Sequence, residues 1–176
     1  LAATHRVEER RPAVELLLAR LAANEAVLTD ASRQLAEASA GGRRISPAGE
    51  WLLDNFYLVE EQVRIAQRHL PRGYSRELPR LARGPSAGLP RVYDIVLELI
   101  SHVDAQIDAE PLRAFVSAYQ KVSSLKLGEL WAVPIMLRLA LIENLRRVTC
   151  HLEIARRERD LAEERQSGRG DRSGGR

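Results

Sequence analysis

The side chains able to do chemistry in this sequence are few: a cysteine beside a histidine, two close pairs of acids, a glycine–arginine turn and one arginine inside an apolar run. Cys150 stands next to His151. A thiol nucleophile needs an activating base, and a metal site needs several ligands converging on one point. Adjacent residues on a helix diverge by about 100°, and His5, His69 and His102 are scattered with no paired-ligand spacing. The preferred reading is therefore a packing cysteine and ordinary histidines. Glu50 and Asp54 lie one turn apart, and Glu60 and Glu61 are adjacent. Two convergent carboxylates can act as acid and base on a glycosidic bond. Acids in a first helical turn also follow from the helix dipole alone, and that reading is preferred here. Gly41–Gly42–Arg43–Arg44 lacks the preceding strand and the Lys–Ser/Thr end of a phosphate loop. The arginine pairs Arg10–Arg11, Arg43–Arg44, Arg146–Arg147 and Arg156–Arg157 have no interleaved aromatics. They read as solvated helix faces rather than contacts to nucleic acid or lipid phosphates. No catalytic, cofactor-binding or metal-ligating residue is assigned.

Arg138 stands apart because it sits inside the longest apolar run, Leu130–Ile142. A guanidinium buried there needs a carboxylate. Glu143 and the acids of the second and third helices are the candidates, and Arg138→Ala is then expected to lower the thermal midpoint markedly.

The elements that must position these side chains are helices. Leu, Ala, Arg and Glu dominate and aromatics make up 5% of the chain, a mix that favours helix over sheet. A first helix is expected from about Pro12 to Ala40. Val14, Leu21, Leu28 and Leu35 recur every seven residues, with Leu17, Ala31 and Ala38 between them and Asn24 in the seam. Gly41 and Gly42 stop it. A second helix starts at the N-cap Ser46 with Pro47 in its first turn. Its face Leu52, Phe56, Val59, Val63, Ala66, Leu70 runs unbroken to Pro71. Pro71–Pro90 reads as a loop pinned by Tyr74, Leu78 and Leu81. A third helix spans about Pro90–Ile107. A fourth is capped by Asp108 and carries Leu112, Phe115, Val116, Tyr119 and Val122.

The fifth begins near Ser124 or Lys126 and runs to about Glu164, with Pro134 kinking it or marking its first turn. Leu127, Leu130, Trp131, Ile135, Leu139, Ile142, Leu145 and Leu152 are expected to face inward, which makes this the central helix. The fold class is thus all-α: about five helices in one domain, residues 1–165. The Gly-, Arg- and Ser-rich residues 166–176 form an expected disordered tail.

Net charge is +3 with a pI near 9.4, spread over interleaved basic and acidic residues. No nucleic-acid partner is expected. A single cysteine excludes an internal disulfide framework. The start LAATHRVEERR has no apolar stretch of a secretory signal. The run Leu130–Ile142 is shorter than the roughly 20 residues a bilayer span requires. The chain begins with Leu, so a fragment or truncated product is expected.

Both tryptophans, Trp51 and Trp131, lie in two dense segments, and around them four stretches resemble the N-terminal region of the cyclic β-1,2-glucan synthases. They are SPAGEWLLDNFYLVEEQVR (Ser46–Arg64), LPRGYSRELPRL (Leu70–Leu81), GLPRVYDIVLELISHVD (Gly88–Asp104) and FVSAYQKVSSLKLGELWAVPIMLRLALIENLRRV (Phe115–Val148). They stand in the family's order and span most of residues 12–160. The resemblance implies a very large bacterial inner-membrane glycosyltransferase. It would use UDP-glucose and a divalent cation to build a β-1,2-glucan on the protein itself, and a phosphorylase-like domain would trim it. The matched region would lie on the cytoplasmic side, upstream of the membrane helices and the transferase core. None of the family's catalytic residues maps onto this segment, and neither the transferase nor the phosphorylase-like domain is represented. A non-catalytic helical segment packing on the transferase core or membrane domain is expected. A stand-alone helical interaction module that self-associates is the alternative.

Overall fold

The computed structural model describes residues 1–8, 16–70, 73–74, 77–103 and 108–170, with side chains described up to residue 154. The all-α expectation holds. Among the described residues there are six helices: α1 (Leu16–Ala40), α2 (Pro47–Asp54), α3 (Phe56–His69), α4 (Arg91–His102), α5 (Ala109–Gln120) and α6 (Leu127–Gly170). Two short strands, β1 (Val7–Glu8) and β2 (Arg80–Leu81), pair antiparallel with Val7 opposite Leu81.

Helix α1 follows its heptad pattern. Leu17, Leu21, Asn24, Leu28, Ala31 and Ala38 are buried, and Leu35 packs on the same core; Val14 lies outside the described residues. The glycines end α1 as a Schellman motif. The amide of Gly42, at φ +69°, reaches the Ser39 carbonyl, and that of Arg43 reaches Ala38. The left-handed conformation at Gly42 is one that most L-residues avoid, and it sets where the chain reverses into α2.

Ser46 caps α2 by accepting from the Gly49 amide at 3.2 Å, with Pro47 in the first turn. Gly49 is buried against Leu35, where a Cβ would come within 3.1 Å of the leucine methyl. The expected single helix from Ser46 to Leu70 is broken at Asn55. There φ and ψ are −112° and 12°, and the side-chain amide donates to the Trp51 carbonyl at 2.8 Å. An asparagine that bonds to its own backbone in this way competes with helix continuation. The apolar face nevertheless resumes in α3, with Val59, Val63 and Ala66 buried.

The Pro71–Pro90 stretch is not free of structure, as the breakers suggested. β2 lies inside it, and Leu81 and Leu89, Gly88 and Leu81, and Arg91 and Pro79 exchange backbone bonds across it. Tyr74 and Leu78 pack into the main core as expected, and Leu81 is buried. Helix α4 ends at His102, short of the expected Ile107; residues 104–107 lie outside the described residues. Asp108 occupies the N-cap of α5, but its side chain makes no capping bond.

Helix α6 starts at Leu127, passes through Pro134 and runs past the expected end to Gly170; residues 171–176 lie outside the described residues. It is central, packing against α4, α1 and α3. Its inward residues Ala132, Met136 and Ala140 are fully buried against Val92, Val96 and Leu28.

Candidate functional site

Of the side chains singled out for chemistry, Glu50, Asp54, Arg43 and Arg44 share one cleft, while His69, His102 and Cys150 lie on separate helices. Cys150 is half-buried, and its recorded contact is a long one, 3.8 Å, from the Arg146 guanidinium; His151 is exposed. His69 and His102 are exposed on other helices. Among the described residues, no three of His, Cys, Asp and Glu gather closely enough to hold a metal ion. Glu60 and Glu61 are exposed. Glu50 and Asp54 do share a wall, as their spacing requires. They line a surface cleft of about 400 Å³ between the end of α1 and α2, facing Arg43 and Arg44. A cleft of two acids and two arginines is balanced in charge and presents no isolated carboxylate pair to a substrate. Gly41–Gly42 serves as a helix terminator rather than a phosphate cradle.

The polar chemistry is concentrated instead on the inward face of α6, where two acids sit about four turns apart. The first is Glu129, at 0% exposure. Its carboxylate accepts two bonds from Arg91 of α4, at 3.0 and 2.6 Å, and one from the Lys126 amide at 2.9 Å. The last contact is half of a capping box, the acid in the first turn reaching back to the N-cap amide. Arg91 also donates to the Ser123 hydroxyl and the Ser124 carbonyl, and its guanidinium lies 5.8 Å from the centre of the Tyr119 ring. The Tyr119 hydroxyl meets His5 Nδ1 at 2.8 Å, and His5 Nε2 meets Asp94 at 3.1 Å. The N-terminal segment is thereby tied to α4 and α5. Burial pushes the His5 pKa below its usual value, and the neighbouring Asp94 only partly offsets this.

The second acid is Glu143, 1% exposed. Arg20 of α1 grips it with two bonds, at 3.1 and 2.9 Å, and Arg146 adds a third at 3.0 Å. Burial pushes its pKa upward, but the bonds from Arg20, Asn24 and Arg146 prevail and hold it down at about 2. Tyr93 is buried beside it, and burial together with that negative charge raises its pKa to about 12. Among the described residues no buried side-chain nitrogen or oxygen is left without a partner. In both centres the buried carboxylate is satisfied by arginines of the same chain, the mark of a structural polar network.

The expected role of Arg138 is therefore corrected. Glu143 is taken by Arg20, and Arg138 donates from Nε to the neutral Gln62 at 3.1 Å. It is half-buried, without a carboxylate partner among the described residues. Of the expected inward set of α6, Ile135, Leu139 and Ile142 are buried, but two members are corrected. Leu127 is 67% exposed and Trp131 76%. With Glu129 and Glu143 drawn inward by Arg91 and Arg20, the helix is rotated so that these apolar residues face out. On α1, by contrast, Leu21 and Leu28 of the heptad row are buried and Leu35 packs on the same core. Asn24, read as a seam residue, is the one polar position whose burial the spacing anticipated.

No family model matches the chain. The sequence is 38% identical over 141 residues to the cyclic beta-(1,2)-glucan synthase NdvB of Rhizobium meliloti (strain 1021). The match takes in 80% of this chain and 5% of that protein's length. The four ordered stretches are thus borne out as a true relationship, and the chain corresponds to one segment of a cyclic β-(1,2)-glucan synthase.

Proposed function

We propose that the chain is the non-catalytic N-terminal helical segment of a cyclic β-(1,2)-glucan synthase, a UDP-glucose-dependent glucosyltransferase of the bacterial inner membrane. Its task is to pack against the transferase core or membrane domain, on the cytoplasmic side, and hold it in place. The observation that carries this reading is the match over 80% of this chain, whose two buried acids are both engaged in internal ion pairs. Glu129 and Glu143 close α6 onto α4 and α1 and leave nothing directed at a sugar nucleotide. The donor and the divalent cation belong, on this reading, to the transferase part, and the acids described here do not fit a cation. No helix among the described residues is long and apolar enough to cross a membrane, so attachment comes through the rest of the polypeptide.

The test is deletion. A full-length synthase lacking this segment is expected to lose at least about tenfold in cyclic glucan made per cell, with a matching fall in folded enzyme. A deletion enzyme that accumulates and synthesises glucan normally would overturn the proposal.

A further inference from the structure

One face of α6 is largely apolar and exposed over much of its length, although Leu145 within it packs on the main core. Positions 127, 131, 134, 138, 141, 145, 148 and 152 step by four and three residues in alternation, which lays them in one row at the spacing of a coiled-coil seam. Leu127, Trp131, Pro134, Leu141 and Val148 are exposed along it, and Arg138, Leu145 and Leu152 are half-buried. The buried residues Glu129, Met136, Ala140 and Glu143 lie on the opposite side. Over 25 residues the row is about 37 Å long.

Arg138 says what covers it. It stands mid-row, its Nε on the neutral Gln62 and no carboxylate of the described residues within reach. A partner that closes the row takes this guanidinium out of water, so it must bring a carboxylate. A second copy joined through the same row does not qualify. The only acids between Leu127 and Leu152 are Glu129 and Glu143, both buried on the other face and already paired. Two copies joined along this row would enclose two arginines and no counter-charge. The relative, by contrast, has 95% of its length outside the matched segment.

We propose that this row of α6 is the docking seam for an amphipathic helix of the same synthase polypeptide, one that carries an Asp or Glu opposite Arg138. The inference rests on the reading of the chain as a synthase segment and names the surface through which it packs. Trp131 is the anchor at one end, as large aromatic side chains commonly are at interfaces.

The experiment uses the full-length synthase with the photo-reactive residue p-benzoylphenylalanine placed at Trp131 or at Leu141. Illumination is expected to cross-link each probe to a helix elsewhere in the same chain that bears an acid. Arg138→Glu sets like charges together in the seam, which costs several kcal/mol at an interface, and should cut the cross-link yield at Leu141 at least about tenfold. Reversing the partner acid to Arg should restore the yield. In the isolated chain Arg138→Glu loses one bond to a neutral amide, so its thermal midpoint should move by less than about 4 °C. That separates the interface effect from unfolding. Cross-links to α6 of a second copy, to lipid or to nothing, or a yield indifferent to Arg138→Glu, would overturn the seam. If deletion of the segment still abolishes synthesis in that case, only the seam is lost; if deletion is harmless, the reading beneath it falls as well.

Discussion

Replacing Glu129 with alanine is expected to lower the thermal midpoint of the chain by on the order of 10 °C. Removing one partner of a buried ion pair costs about 3–5 kcal/mol, because the other charge stays desolvated without compensation. In a protein of this size each kcal/mol shifts the midpoint by roughly 2–4 °C. Arg91 would keep the Ser123 hydroxyl and the Ser124 carbonyl but no counter-charge, and the Lys126 amide would lose its cap. Exposure cannot relieve it, since the two side chains are 6% and 0% exposed. The double replacement Arg91→Met with Glu129→Leu should recover much of the loss, as replacing both charges by apolar groups of similar volume often does. Melting followed by circular dichroism decides it. A single variant within about 2 °C of the parent would mean that the pair is not buried as described.

The second large effect is acid lability centred on Glu143. Its pKa lies at about 2 in the folded chain, below the ordinary value of 4.5. A group whose folded pKa is depressed adds stability that is fully present above its unfolded pKa and disappears as the pH falls through the folded one. The window is thus pH 4.5 down to about 2, and the contribution is on the order of 3 kcal/mol. Glu143→Gln should therefore be less stable than the parent by about that amount at neutral pH, and the difference should close across this window. Urea unfolding of both proteins at a series of pH values measures it. A difference that stays constant from pH 6 to pH 3 would refute the assignment, because it would then owe nothing to the charge.

How much of this was written in the sequence depends on the range of the interaction. The heptad row of α1, the Ser46–Pro47 start of α2, the glycine stop after Ala40 and the central place of α6 are local patterns, and all are found. The break at Asn55 is local as well, but an apolar face that continues on both sides of it conceals it. The orientation of α6 was legible only in part: Ile135, Leu139 and Ile142 lie inward as expected, whereas Leu127 and Trp131 face out. A helix apolar nearly all round has no preferred inward side by periodicity, and acids are ordinarily read as outward. What turns Glu129 and Glu143 inward is Arg91, 38 residues away, and Arg20, 123 residues away. Such pairings leave no mark in a window of one or two helical turns.

The central claim, that this chain is a docking part of a synthase, is tested most directly by supplying it in trans. A synthase from which the segment has been deleted is co-expressed with this chain as a separate, affinity-tagged protein. The account predicts that the tagged chain retains the truncated synthase through purification and restores cyclic glucan synthesis, and that Leu141→Asp on the exposed face of α6 abolishes both. A chain that purifies alone beside a synthase whose output does not depend on it would contradict the account.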